Sequence, residues 1–308
     1  MPGTCPIPDT VPAPGRPGTI RRATTADLVL LLATVSTWAG AFVAIKVAVP
    51  ALGAVGVAAV RAGLGALVVL PFALHGGLVL PPARTLALLF VLAQLNVTLP
   101  FVAISWAEQT IDAGATALLM GTGPFFAMIG AHLALADERM TRWRAGGAML
   151  GFAGVATLVG GEGWGQLMAG HIGAYGATLF ASLCYVAAGL LVRRIDMRPV
   201  LLALYTLALA ALVLFPAVAV VGWGEAAPTS QTWLAVAFLG LLPTGLAYVL
   251  RYHLIQRIGY ATFALGINLI PVLGVLFGVV LLGEALTARI VVALSLVLAG
   301  LFVARLSP

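Results

Sequence analysis

Charge is what this sequence of 308 residues has least of. Only 8% of its side chains are Asp, Glu, Lys or Arg, against about 25% in an ordinary soluble domain. Hydrophobic residues make up 62% of the chain and its mean hydropathy is +1.11. So few charges cannot clothe a soluble globule of this size, so the solvent must be lipid. Lysine is almost missing: Lys46 stands alone among arginines. It is preceded by Ala-Ile, so no Gly-x-x-x-x-Gly-Lys-[Ser/Thr] loop exists to cradle a nucleotide phosphate. His-Glu-x-x-His and Gly-x-Ser-x-Gly are absent too, which leaves no pattern for a zinc protease or a serine hydrolase. The histidines, His75, His132, His171 and His253, lie in separate segments and read as interfacial or packed side chains rather than ligands. No enzyme, metal or cofactor is expected. Cys5 and Cys184 make no disulfide framework.

Acids are missing where they would matter most. All of them fall in the tail, at helix ends or in loops, and Glu108, Asp112, Glu162, Glu225 and Glu284 read as outer-loop residues. A carboxylate in mid-membrane would mark a proton or cation site by default. With none in view, the sequence predicts transport down a gradient, without ATP and with little dependence on a proton gradient. The net charge of +6 does not describe a nucleic-acid binder, because the cations sit in ones, twos and threes between apolar stretches and form no basic face.

What the chain does have is long apolar runs. Residues 1–22, rich in Pro, Gly and Thr, read as a disordered cytoplasmic tail. They lack the apolar core of a signal peptide. With roughly 20 apolar residues needed per crossing, helices are expected at 28–49, 53–75, 84–104, 113–134, 142–160, 171–192, 199–222, 231–254, 261–282 and 287–305. Val49-Pro50, Pro81-Pro82 and the Gly160–Gly163 turn punctuate them. The expected fold class is an all-α membrane protein of ten transmembrane helices.

Orientation follows from the cations. With the tail inside, Arg16, Arg21, Arg22, Arg84, Arg139, Arg142, Arg144, Arg193, Arg194, Arg198, Arg257 and Arg305 fall on the cytoplasmic side and only Arg289 outside. Lys46, Arg61 and Arg251 lie within spans. Ten helices with both termini cytoplasmic satisfy the positive-inside rule and fit a multi-pass inner (plasma) membrane protein.

The chain also repeats itself. Setting Pro124 on Pro271 aligns Gln109 with Gln256, Ile111 with Ile258 and Ala117 with Ala264. After a one-residue slip Glu138 meets Glu284, Thr141 meets Thr287 and Gly154 meets Gly300. Five helices separate the copies, so residues 28–160 and 171–305 are expected to be two five-helix repeats of inverted topology. That architecture belongs to secondary transporters, whose substrate sits near midplane between the halves.

The stretch Trp38-Ala-Gly-Ala-Phe42-Val-Ala-Ile-Lys46, followed by Arg61, resembles the opening of EamA-type members of the drug/metabolite transporter superfamily. Ala115–Thr141, with Pro124 and the ending LADERMT, resembles the close of a first EamA domain; 261–303, with Pro271 and LLGEALT, resembles the close of a second. Two departures are visible: Ala39 stands where the family usually has Gly, and Glu138 is displaced by one residue, with Asp137 beside it. The resemblance implies a ten-helix fold and export or facilitated movement of small metabolites, often amino acids.

Candidate substrate contacts come from polar side chains inside spans. Arg61 lies about 12 Å below the outer end of its helix at 1.5 Å per residue, where an unpaired cation costs at least about 2.5 kcal/mol. Either it draws a substrate carboxylate inward, as Lys46 could, or it pairs structurally with Glu108, Asp112 or a carbonyl. Tyr175, Thr178, Ser182 and Tyr185 share one helix face, as do Gln94, Thr98, Phe101 and Ser105. Thr244, Tyr248 and Tyr252 form a third stripe, and Asn268 precedes Pro271. Such faces must turn inward, either lining a cavity or bonding helix to helix. The candidate site is therefore Trp38, Lys46, Arg61, Gln94, Tyr175, Ser182, Tyr185, Tyr248 and Asn268. Pro124 and Pro271, read as lying inside helices beside glycines, are candidate gate hinges. An aromatic, hydroxyl and amide lining suits a zwitterionic or aromatic amino acid. Exchange of other organic solutes, flipping of lipid-linked carriers and a non-transport scaffold are the other readings. The expected partners are a small-molecule substrate and membrane lipid, with the protein a monomer or weak homodimer.

Overall fold

Thr24 caps the first helix. Its hydroxyl accepts the Asp27 amide while the Asp27 carboxylate accepts the Thr24 amide at 3.1 Å, a reciprocal cap on the first helix. The structure is a computed structural model, and it describes residues 23–134, 140–160, 171–192 and 194–306. The tail 1–22, the stretch 137–139 and Glu162 lie outside the described residues. All regular elements among the described residues are helical.

Helix α1 spans Thr25–His75 and is broken at Gly53. Then come α2 (Ala83–Ala93), a π-helical turn at Gln94–Thr98 and α3 (Leu99–Ala107), which run on as one rod. Two short helices, α4 (Ala113–Met120) and α5 (Gly123–Ala134), follow, and then α6 (Arg142–Gly160). The later part contains α7 (Ile172–Val192), α8 (Pro199–Val221), α9 (Ser230–Leu239), a π segment at Gly240–Leu246, α10 (Ala247–Ile267), α11 (Ile270–Leu282) and α12 (Ala288–Arg305). Seven stretches among the described residues are long and apolar enough to cross a bilayer. Leu212, Val220, Leu234 and Phe302 are largely exposed, as side chains facing hydrocarbon should be.

Several boundaries differ from those the sequence suggested. The first helix does not stop at Pro50 but at Gly53, whose φ of 67° suits glycine alone. The chain turns there against the 222–226 loop, where the Ala226 amide donates to the Pro50 carbonyl at 3.1 Å. The break expected between 254 and 261 is absent: α10 continues to Ile267, and the chain turns at Asn268-Leu269 instead. Only Gly259 could have interrupted that helix, and Arg257 reinforces it by pairing with Asp27 at 3.2 Å. Pro124 and Pro271 are corrected as well. Neither lies inside a helix; each stands in the first turn of a new one, after the Gly121-Thr122 and Asn268-Leu269 turns. There the missing N–H costs nothing.

Small residues bring the helices together. At the crossing of α6 and α12, a Cβ on Gly147 would stand 2.5 Å from the Gly300 carbonyl, and one on Gly300 the same distance from that of Gly147. Where α4 meets α11, a Cβ on Gly274 would overlap Ala117. Without a hydrophobic force between helices in lipid, such close backbone approach is what drives their packing. The middle of the molecule is a cluster of Phe42, Ile45, Ile104, Ala117, Ala181 and Leu239, drawn from α1, α3, α4, α7 and α9.

Candidate substrate site and buried carboxylate

The second arm of α1 packs against the π segment Gly240–Leu246. A Cβ on Gly65 would stand 2.6 Å from the Thr244 methyl, and Gly240 and Gly245 leave equally little room beside Leu64 and Val68. This close crossing sets Arg61 against Thr244: its Nε donates to the threonine hydroxyl at 2.7 Å. The guanidinium lies over the Phe101 ring, 3.8 Å from its centroid. Arg61 is 8% exposed. Tyr185 of α7 and Tyr248 of α10 lie close enough to feel its charge, and the Asn96 amide donates to the Tyr248 hydroxyl at 3.3 Å. The structural pairing of Arg61 foreseen with Glu108, Asp112 or a carbonyl is thus with a hydroxyl and a ring.

Lys46 donates to the Ile111 carbonyl at 2.7 Å. Trp38 donates from its indole to the Pro243 carbonyl at 3.0 Å and meets Phe263 edge-on, 6.1 Å between centroids. Ser182 is buried against the Met120 sulfur at 3.4 Å. Asn268 sits half-buried in the turn between α10 and α11, and the flanking Ile267 and Ile270 pack on the cluster holding Trp38. Gln94 opens the π turn and reaches back to the Phe90 carbonyl at 3.4 Å. Tyr175 stands apart from Arg61, buried with Leu118, Phe125 and Val297. It borders a cavity of about 90 Å³ whose polar rim includes Asp112, His171 and Arg289. The structure therefore gathers Arg61, Tyr185 and Tyr248, sets Lys46 and Trp38 on carbonyls, and separates Tyr175.

Two residues outside the candidate site list stand beside this group. Asn96 went unnoticed because it lies off the Gln94–Ser105 stripe, yet from within the π turn it is Asn96 rather than Gln94 that meets Tyr248. The other is Glu108, taken for an outer-loop residue. It is 0% exposed, and neither carboxylate oxygen has a hydrogen-bond partner. The signal was present: Thr98, Phe101, Ser105 and Glu108 recur at i, i+3, i+7 and i+10, extending the stripe by one turn. Glu284, assigned to the same outer loops, instead receives the Ala113 and Gly114 amides at 2.7 and 2.9 Å. It caps α4, where a carboxylate also complements the positive end of the helix.

An all-helical body with lipid-facing leucines and an enclosed group of Arg, Tyr and Glu side chains defines an integral membrane protein with a polar interior. The EamA-like transporter family matches this chain twice, over residues 25–160 and 168–306, and the chain belongs to that family. It is a membrane transport protein, not an enzyme. It is similar to a probable terminal-alkyne amino-acid exporter of Streptantibioticus cattleyicolor, 26% identical over 82% of this chain and 84% of that one. An uncharacterized transporter of Bacillus subtilis, YdfC, is 25% identical over 81% of each chain. A solved crystal structure superposes over 92% of this chain and 98% of its own, with a TM-score of 0.66 at 20% identity, a likeness of fold.

Proposed function

We propose that this protein exports amino acids or closely related zwitterionic metabolites across the inner membrane, or facilitates their movement, by alternating access. The observation that carries the reading is Arg61: a buried guanidinium held by one hydroxyl and one ring, with its remaining N–H groups available to a carboxylate in bidentate fashion. Tyr185 and Tyr248 around it supply aromatic surface and hydroxyls. The similarity to a probable amino-acid exporter points the same way.

The architecture proposed for this cycle is ten spans in two inverted repeats, 28–160 and 171–305. Its support includes a feature outside the sequence alignment. The shift that sets Pro124 on Pro271 also sets the π turn Gln94–Thr98 within the π segment Gly240–Leu246. The arginine distribution supports a cytoplasmic position for both termini. The Asp27–Arg257 ion pair sets the start of α1 beside one of these arginines, in the middle of α10. Pro124 and Pro271, each after a two-residue turn, are the proposed hinges. Proteoliposomes loaded with a radiolabelled amino-acid mixture test the function. Downhill flux without ATP, above that of protein-free vesicles, is expected, and equal flux in the two would remove the reading.

A further inference from the structure

One side chain of the interior is left without any function in this scheme. Glu108 follows the last residue of α3, and its carboxylate is completely enclosed. Of the charged groups acting on it, Lys46 and Arg61 from α1 favour its anion and Glu284 from the turn after α11 opposes it; burial outweighs them, and none of them bonds to it. Lys46 is committed to the Ile111 carbonyl and Arg61 to Thr244. Glu284, itself an anion, is committed to the α4 amides. Position adds to burial: the end of α3 is the negative end of the helix dipole and disfavours a second negative charge. One turn earlier on the same face, the Ser105 hydroxyl is equally buried and equally unpartnered, and the Thr98 hydroxyl lies two turns further back in the same condition.

We infer that Glu108 is a proton-carrying site: protonated when enclosed as here, and ionised when the cycle opens this face to water, so that transport is proton-linked. An ionised carboxylate with no hydrogen bond and no cation bonded to it is costly to bury, and it takes up a proton instead. Opening would hydrate the carboxylate, or let the Lys46 ammonium leave its carbonyl and meet it; either favours the anion and releases the proton. Thr98 and Ser105 mark the face along which the proton travels. This replaces the expectation of weak proton dependence that the lack of mid-span acids suggested.

The coupling half of the inference rests on the transport reading; the protonation half does not, and the experiment separates them. Infrared difference spectra of the full chain in lipid nanodiscs at neutral pH, wild type against Glu108→Gln, should show a carboxylic-acid C=O band that the variant lacks. Glu108→Asp, which retains an acid, should restore a band there. A wild type without the band, or a Gln variant that keeps it, overturns the inference. In proteoliposomes carrying a ¹⁴C-labelled amino-acid mixture, one proton per cycle lets a one-unit pH gradient sustain about a tenfold substrate gradient. Glu108→Gln should lose that response while keeping downhill exchange. An equal pH response in the two proteins overturns the coupling. If the wild type moves no labelled amino acid, the amino-acid reading fails, and the band alone decides whether Glu108 holds the proton.

Discussion

Arg61 and Thr244 are 183 positions apart, yet the guanidinium Nε donates to the threonine hydroxyl at 2.7 Å inside the bundle. The contact ties the second arm of α1 to a π segment that Pro243 prevents from forming regular α-helical bonds. A π turn releases carbonyls and side chains from the helical register, which is why such turns recur at functional sites. Removing the hydroxyl while keeping the shape, Thr244→Val, should cost about 1.5–3 kcal/mol, the range for a hydrogen bond to a charged group. Arg61→Lys keeps the charge but loses the fork and much of the ring contact. If Arg61 binds substrate carboxylate, the Lys variant should remain folded and lose transport by roughly tenfold or more, the change expected from about 1.4 kcal/mol. Flux assays alongside thermal melts of both variants decide it: a Lys variant that transports normally removes Arg61 from the site.

The two tyrosines named together from sequence should now behave differently. Tyr175 is packed in the cluster with Leu118 and Val297, so Tyr175→Ala should destabilise by about 3–5 kcal/mol, as large-to-small changes of buried aromatics do. Tyr248 joins Asn96 beside the Arg61 charge. Tyr248→Phe removes only the hydroxyl and should lower transport with little change in melting temperature. Melts and flux on the two proteins check the contrast, and a Tyr248→Phe protein of full activity would make that hydroxyl a packing partner only.

Glu284 holds α4 by its first two amides. Glu284→Ala should destabilise by about 1–2 kcal/mol, the range for losing a helix cap, and Glu284→Gln by less, since one carbonyl oxygen still accepts. Gly278 sits against the same carboxylate, where an added Cβ would overlap Oε2, so Gly278→Ala should mimic the loss. Denaturation midpoints in detergent measure all three; an unaltered Glu284→Ala midpoint would mean that solvent or Asp112 caps the helix equally well.

Much of the fold was legible because apolar length and arginine placement are local properties. The ends of α6, α7, α8 and α12 lie within a residue of those expected from composition. Breaks set by tertiary contact were not legible. Gly53 turns the chain because the 222–226 loop receives it, and α10 continues past 254 because no proline stops it and Asp27 waits for Arg257. At the site, the stripe on α3 was visible as far as Ser105. Glu108 was passed over because its sequence neighbours, Gln109, Thr110 and Asp112, look like a loop. Only packing shows that a loop-like position is sealed. The π turn that holds Asn96 leaves no mark in a 3.6-residue periodicity.

Glu108 should also write itself into the pH dependence of stability. Unfolded, its carboxyl ionises near pH 4.3; enclosed without a partner, it ionises only at higher pH. Between those two points the folded state holds one more proton than the unfolded state, so stability falls as pH rises, by up to about 1.4 kcal/mol per unit. Asp27 and the other acids contribute trends of their own, but they are common to wild type and Glu108→Gln. The amide never ionises and fills nearly the same space, so the difference between the two melting curves isolates this one group. Below about pH 4 both forms of the unfolded side chain are neutral, and the proteins should melt alike or with a constant offset. As pH is raised from 5 toward 8, the wild type should lose melting temperature relative to Glu108→Gln, the gap levelling off once the folded carboxyl itself gives up its proton. A gap that stays constant across this range would mean that Glu108 ionises in the folded protein as it does in water, and that the face of α3 opens far more readily than its burial suggests.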